Sequence, residues 1–313
     1  MTESGGPCKK NSMSDLLIVG TGALATLFAA RLTSGGQRVT MLGTWPEGLA
    51  ALRKNGARLV DAGGREQTFS VEVRDDPQDC RGAKHAIILV KSWQTARAAH
   101  QLADCLAGDG VAITLQNGLD NQETLAKELG ESRTALGTIT IGATLLGPGL
   151  VKAAGEGKIS LAAHPAIDPI REALKSAGFQ VEVVEDARSI VWSKLIVNAA
   201  INPLSALLKV PNGELLKRPV ARRLMRALAE EAAVVARAEK VALPFRDPAS
   251  AVEEIAQRTA GNHSSMLQDI QRGAPTEIDA ICGAVVRAGQ RHRIPTPFNY
   301  VCWQLVQALI PRE

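Results

Sequence analysis

The stretch WSKLIVNAAINPLSAL, from Trp192 to Leu207, carries Lys194, Asn198 and Asn202 at intervals of four residues among Ile, Val, Leu and Ala. Four residues is just over one helical turn, so the three side chains stack on one face of a helix. An ammonium can stabilise a developing negative charge and then give up a proton. Amides can pair with carboxylate or hydroxyl groups without adding fixed charge. On an apolar face such groups need partners, because a buried polar group without one costs about 1–3 kcal/mol and an unpaired charge costs more. The partner is either a private network within the protein or a ligand, and this stretch alone leaves both open. Asn202 also precedes Pro203, which disfavours helix at residue 202 and is expected to kink it.

Two shorter stretches carry groups of the same kind. PTEIDAI reads as a helix start, with Thr276 as N-cap and Glu277 in the first turn, where the helix dipole favours an acid in any case. HSSMLQD contains Ser265 and Gln268 at capping-box spacing, so Ser265 reads as a helix cap as readily as a binding hydroxyl.

The elements that must position such groups begin at LLIVG (Leu16–Gly20), a short apolar run that reads as a buried parallel strand. From Gly20 the chain continues GTGALATLFAARL, with Gly20, Gly22 and Ala25 in a G-x-G-x-x-A pattern. Gly20 permits a tight turn, Gly22 lets backbone approach a pyrophosphate, and Ala25 keeps the following helix close to the strand. That helix offers free N–H groups and the positive end of its dipole to an anion. Any strand–turn–helix can look like this, but Gly35-Gly36 closes the helix and QRVTMLG (Gln37–Gly43) reads as a second strand. The βαβ unit so formed has the length, roughly thirty residues, that a dinucleotide site requires.

An acid at the end of the second strand would select NAD, and a nearby Arg NADP. Here Gly43, Thr44 and Trp45 follow the strand, with no acid before Glu47 and no Arg. The lack of an acid leans towards NADP. Thr44 can donate a hydrogen bond, and Arg53, Lys54 or Lys91 are cations that folding could bring near.

HAIILVKSWQT (His85–Thr95) and GVAITLQNGLDN (Gly110–Asn121) read as two more buried strands, with Lys91 at the end of one and Gln116 and Asn117 at the end of the other. Ligands of open α/β sheets bind beyond the carboxyl ends of the strands, so Gly20, Gly22, Lys91 and Asn117 are expected on one edge. The alternatives are a solvated loop lysine and an Asn-Gly turn. TALGTITIGATLLGPG and GLVKAAGEGKISLAA read as strands and turns, partly antiparallel, followed by a helix at Pro169–Ala177 and the segment Gln180–Asp186.

From Asp186, a plausible N-cap, helical periodicity takes over in five stretches between residues 187 and 292, broken by a turn at Pro211-Asn212-Gly213. The expected fold is α/β: a Rossmann-type doubly wound sheet over residues 15–185, then an all-helical domain over 186–313, after a polar, disordered extension at 1–14. With 45% hydrophobic and 22% charged residues the chain has ordinary globular composition. A net charge of +4 is too mild and too evenly spread to argue for nucleic acid, and suits a small anion equally well. Cys8, Cys80, Cys105, Cys282 and Cys302 are odd in number, far apart and without a C-x-x-C, which argues against disulfides or zinc and for a reducing cytoplasm. No signal peptide is read at the N-terminus, and no run approaches 18 apolar residues, so no membrane span is expected.

Taken in order, these stretches resemble the ketopantoate reductase (2-dehydropantoate 2-reductase) family from about residue 16 to 305. GTGALA is similar to its nucleotide loop, VKSWQT carries its Lys, QNG its Asn, and WSKLIVNAAINPLSAL is its most diagnostic stretch, with PNGEL, SSMLQD and TEID following at the family's spacing. The resemblance implies NADPH-dependent reduction of the 2-oxo acid 2-dehydropantoate to (R)-pantoate, a step towards pantothenate and coenzyme A. It implies a Rossmann domain and a helical domain with the site between them. By position it makes Lys194 the catalytic lysine and Glu277 the acid beside it, which could hold Lys194 in place, contact substrate and lie on the cofactor side. Asn198, Asn202, Asn212 and Ser265 match substrate-binding positions. Lys91 and Asn117 match cofactor-side positions, Asn117 near the nicotinamide and the substrate. Gly20, Thr21, Gly22, Ala23, Leu24 and Ala25 match the loop that holds the cofactor. The departure is Thr44, where the family often has an Arg for the NADP phosphate, so NADH stays open. Another 2-oxo acid, or a dinucleotide-binding protein without catalysis, remains an alternative. The sequence does not set the oligomeric state, and a homodimer is open.

Overall fold

In the computed structural model, which describes residues 16–309 other than 62 and 156, the run Leu16–Val19 forms strand β1 with all four residues buried. Leu16 and Ile18 pack into one apolar cluster, Leu17 and Val19 into another. Alternate residues of a strand point to opposite faces, so a strand covered on both sides reads as a continuous apolar run. The proposed extension at residues 1–14 lies outside the described residues.

The first part of the chain continues with α1 (Ala23–Ser34), β2 (Val39–Leu42), α2 (Pro46–Asn55), β3 (Ala57–Val60), β4 (Glu66–Phe69), β5 (Glu72–Arg74) and β6 (Ala83–Ile88). It goes on through α3 (Thr95–Cys105), β7 (Leu106–Thr114), α4 (Asn121–Leu129), β8 (Thr134–Ile139), β9 (Gly142–Gly147), β10 (Leu150–Ala154), β11 (Lys158–Ala162), α5 (Asp168–Ser176) and β12 (Gln180–Val184). Eight strands form one sheet in the order β12-β11-β8-β7-β6-β1-β2-β5. All neighbours are parallel except β8 and β11. α1 and α5 cover one face and α3 and α4 the other, so the sheet is doubly wound. The chain leaves β1 towards β2 and later returns to β6 on β1's other side. That switch point is where an open α/β sheet holds its ligand.

A second sheet, β4-β3-β10-β9, packs over the outside of α1. α1 therefore lies between two sheets, which explains why Leu27, Phe28, Ala29 and Ala30 are all fully buried and its apolar residues run round its circumference. β9 and β10 are the antiparallel strands expected in this region, whereas β3 and β4 have no counterpart among the expected elements. Their residues, ARLV and EQTF, are mostly half-buried or exposed and carry no long apolar signal.

After β12 every regular element among the described residues is helical: α6 (Ala187–Leu208), α7 (Glu214–Lys217), α8 (Pro219–Ala238), α9 (Pro248–Arg258), α10 (Ser265–Gln271), a π turn (Asp279–Gly283) leading into α11 (Ala284–Arg291), and α12 (Pro297–Ala308). Asp186 caps α6 by accepting from the Ser189 N–H at 2.9 Å. α6 is long and apolar enough to span a membrane by length and composition, but it is the packed centre of this part. It packs on α8 within one apolar cluster, to which α6 brings Leu195, Ile196 and Ala199 and α8 brings the small Ala229, Ala232 and Ala236.

The helix runs on through Pro203 to Leu208. Proline has no N–H for the carbonyl four residues back. That carbonyl, on Ala199, accepts from the thiol of Cys282 in the π turn at 3.7 Å. Among the described residues the four cysteines are all free and buried. α12 was not singled out in the sequence because apolar side chains ring it: Cys302 and Val306 are buried, whereas Phe298, Val301 and Leu305 are exposed.

Candidate active site

Gly20 ends β1 with φ of +133°, and a Cβ there would lie 3.2 Å from the carbonyl carbon of Leu89, so this position needs glycine. Gly22 has an ordinary φ of −82°, yet a Cβ there would meet nothing within 4 Å. The first glycine thus serves the fold, and the second faces open space. Gly22 is also the N-cap of α1, with no side-chain cap and no acid in the first turn. Its leading N–H groups and dipole are therefore free for an anion. Thr21 and Ala25 are buried beneath this loop, and Ala23 and Leu24 are half-buried at its rim. Loop and helix end together fit a dinucleotide pyrophosphate.

The ends of β6 and β7 lie beside this loop. Gln116 ties them together by donating to the Val90 carbonyl at 2.9 Å. Asn117 is fixed through its carbonyl, which accepts from Asn121 at 2.9 Å. Its own amide then donates across to Glu277 Oε2 at 3.0 Å. Glu277, only 6% exposed, also accepts from the Ser92 backbone N–H at 3.1 Å through Oε1. Thr276 supports the turn before the helix by accepting weakly from the Ile278 N–H at 3.4 Å.

Lys91 reaches the same place. Its Nζ lies 2.6 Å from Asp269 Oδ2 and 3.9 Å from Glu277 Oε2. Burial pulls the Lys91 pKa down, but the charges of Glu277 and Asp269 outweigh it and leave the pKa raised. Asp269, whose side chain is 3% exposed, also meets Arg272 at 3.0 Å. Burial pushes its carboxyl pKa up against the pull of Lys91. Asp269 was missed in the sequence, although it sits inside the quoted SSMLQD; an acid on the buried side of a short helix was the available signal.

Lys194 projects from the first half of α6, which packs on β8 and β11. Its ammonium donates to the carbonyl of Ile139 at the end of β8. Burial lowers its pKa to about 8, opposed by the charge of Glu277. The expectation that Glu277 holds Lys194 directly is not met. Both Glu277 oxygens are engaged by Ser92 and Asn117, so Glu277 acts on Lys194 through charge while the Ile139 carbonyl holds the ammonium. An ammonium has three donors, which leaves two for another acceptor.

Below Lys194 on the same stripe, Asn198 is half-buried and Asn202 is 7% exposed. Among the described residues neither side chain makes a hydrogen bond, so the private network that would have explained them is absent. The start of α10 is pinned to this turn of α6. Ser205 donates to the Asn202 carbonyl at 3.1 Å and pairs with Ser264 at 2.5 Å.

Ser264, not Ser265, is the N-cap of α10, accepting from the Leu267 N–H at 3.1 Å. The capping box read at Ser265 was one residue late, and Gln268 instead donates to the His263 carbonyl at 3.1 Å. Ser265 is left exposed at the first helical position. Asn212 is drawn elsewhere. Its amide donates to Thr259 at 3.0 Å, and its amide oxygen is buried without a partner. No described contact joins it to the Lys194 stripe. Thr44 is exposed at the end of β2, in a pocket it shares with Arg53. Of the three cations considered for that corner, Lys91 is committed to Asp269 and Glu277, and Lys54 does not line the pocket.

Comparison with known proteins bears on the family and the fold. Residues 16–166 match the family described as ketopantoate reductase PanE/ApbA, and residues 186–310 its C-terminal domain. A 2-dehydropantoate 2-reductase of Archaeoglobus fulgidus is 36% identical over 298 residues, covering 93% of this chain and 96% of that one. Its counterpart in Halobacterium salinarum is 33% identical over 287 residues, covering 90% and 94%. Among solved structures, a ketopantoate reductase from Ralstonia eutropha superposes with a TM-score of 0.87 at 32% identity, over 94% of this chain and 98% of that one. A D-mandelate dehydrogenase bound to NADH and anilino(oxo)acetate shares the fold, with a TM-score of 0.88 at 24% identity over 94% and 98%.

Proposed function

The chain belongs to the ketopantoate reductase family, and from that premise we propose that it reduces 2-dehydropantoate to (R)-pantoate with NADPH, in the cytoplasm, on the way to pantothenate. The observation that carries this reading is the Lys194 stripe: an ammonium of lowered pKa, continued by Asn198 and Asn202, which no described protein group meets. We divide the chain at residue 185, into a part that binds the dinucleotide and a helical part that binds substrate and supplies the acid.

NADPH, when bound along Gly20–Ala25, supplies the hydride. Addition to the ketone carbon puts negative charge on the carbonyl oxygen. Lys194 keeps one N–H on the Ile139 carbonyl and turns another to that oxygen, first as a hydrogen bond and then as the proton donor. The Ile139 contact fixes the direction of the ammonium before substrate arrives, which lowers the cost of orienting it. Glu277 keeps Lys194 more protonated than burial alone would, while Ser92 and Asn117 hold its carboxylate at the cofactor edge. Asn198, Asn202 and Ser265 pair with the substrate's carboxylate and hydroxyl. Asn212, already bonded to Thr259, would take part through a rearrangement of its amide.

The test is NADPH oxidation assayed against a panel of 2-oxo acids and repeated with NADH. Turnover of 2-dehydropantoate well above the rest supports the proposal. Preference for another 2-oxo acid would keep the mechanism and replace the substrate. Nucleotide binding without any turnover would refute the catalytic reading.

A further inference from the structure

Thr44 brings no positive charge to the end of β2, where the adenosine ribose of a bound dinucleotide lies. The structure supplies one from the next helix. Pro46, Leu49, Ala50 and Arg53 recur at helical spacing along one face of α2, and with Thr44 and Asp75 they line a single pocket. Asp75 directly follows β5, the strand that pairs with β2. Arg53 reaches across and meets Asp75 Oδ2 at 3.0 Å, with side chains 45% and 57% exposed. An ion pair this exposed contributes little to the fold and parts easily.

A guanidinium offers a planar fork of donors that suits a phosphate better than a single carboxylate oxygen. Thr44 lines the same pocket, and a threonine hydroxyl is a further donor. α2 begins there as well, with no side-chain cap, although Glu47 in its first turn offsets part of that positive end. The nearby Arg74 is paired with Glu72 at 3.3 Å and does not line the pocket.

We propose that the Arg53–Asp75 pair discriminates between the two nicotinamide dinucleotides: Arg53, with Thr44, binds the 2′-phosphate of NADPH, and Asp75 is the competing anion it leaves to do so. With NADH the pair stays closed and adds nothing to binding. The inference rests on the NADPH reading above and assigns its selectivity to residues beyond the strand end itself.

The experiment is calorimetric titration of the full-length protein with NADPH, NADH and the fragments 2′-phospho-ADP-ribose and ADP-ribose, which reads binding without turnover. Arg53→Gln is expected to weaken NADPH and the phosphorylated fragment about tenfold, the size of one charge-assisted contact, and to leave NADH within about twofold. Asp75→Asn is expected to tighten NADPH severalfold and leave NADH alone. If the wild type prefers NADPH but Arg53→Gln weakens both dinucleotides equally, or neither, the inference is overturned while the NADPH reading stands. If Asp75→Asn weakens NADH and spares NADPH, Asp75 holds the ribose hydroxyl instead and the inference is likewise overturned. A wild type that binds both dinucleotides alike overturns the NADPH reading, and the inference falls with it.

Discussion

Raising the pH should switch off Lys194 far earlier than it would an ordinary lysine. Burial lowers its pKa from 10.5 to about 8. At pH 7 such a group is roughly 90% protonated and at pH 9 roughly 10%, whereas an unperturbed lysine is still mostly protonated at pH 9. With NADPH saturating, kcat/KM for the oxo acid should therefore be level below about pH 8 and fall about tenfold per unit above it. In Glu277→Gln the charge that raises the Lys194 pKa is gone, so the falling limb should move to lower pH. Stopped-flow absorbance of NADPH consumption from pH 6 to 10 measures both profiles. A wild-type profile level to pH 10, or a limb that Glu277→Gln does not move, would refute the assignment of Lys194 as the acid.

The same shift has a consequence for stability, with a definite sign. The folded-state pKa lies below the unfolded one, so between about pH 8 and 10.5 the unfolded chain binds more protons and stability rises with pH. Below pH 8 the full cost applies, on the order of 3 kcal/mol. Lys194→Met should raise the urea midpoint at pH 7, with the gain shrinking towards pH 10. No gain at pH 7 would mean that the ammonium is better solvated than its surroundings suggest.

Other substitutions separate fold from site. Asn202→Ala should raise KM for the oxo acid at least about tenfold while leaving the melting temperature unchanged, since its side chain has no protein partner; thermal melts beside steady-state kinetics decide it. Gly22→Val should preserve the fold and abolish nucleotide binding, because its Cβ points into open space, as titration with NADPH would show. Asp269→Ala removes the nearer of the two acids that hold Lys91 and the partner of Arg272, and should cost about 1–3 kcal/mol of stability, readable by urea unfolding.

How much of this was legible in the sequence depended on whether a feature is local. The loop from Gly20 to Ala25 and the stripe from Lys194 to Asn202 have a fixed period or spacing, and the structure places them as their patterns require. Ser264 and Ser265 were indistinguishable because either hydroxyl can cap a helix, and only the dihedral angles choose. The hold on Lys194 by the Ile139 carbonyl, the grip of Asp269 on Lys91 and the meeting of Arg53 with Asp75 join residues far apart in the chain. Such contacts have no period and no motif. They follow from tertiary structure: the strand order sets β5 beside β2 and runs β6, β7 and β8 side by side, and the helical part packs against the sheet.

The π turn at Asp279–Gly283 sets a rotational phase. Each residue advances an α-helix by about 100°, and a π turn holds roughly one residue more than an α turn. That extra residue lets Glu277 face Ser92 and Asn117 while Val285 and Ala288, further along, face the helical core. It also turns the Ala280 carbonyl outward, where the Leu119 N–H meets it at 3.3 Å. The backbones come so close there that a Cβ on Gly118 would lie 2.5 Å from that carbonyl oxygen. Removing one residue from the turn would leave a regular helix one residue shorter, with Glu277 swung about 100° relative to the rest of that helix. The candidate-site geometry would be lost with none of the proposed site residues changed.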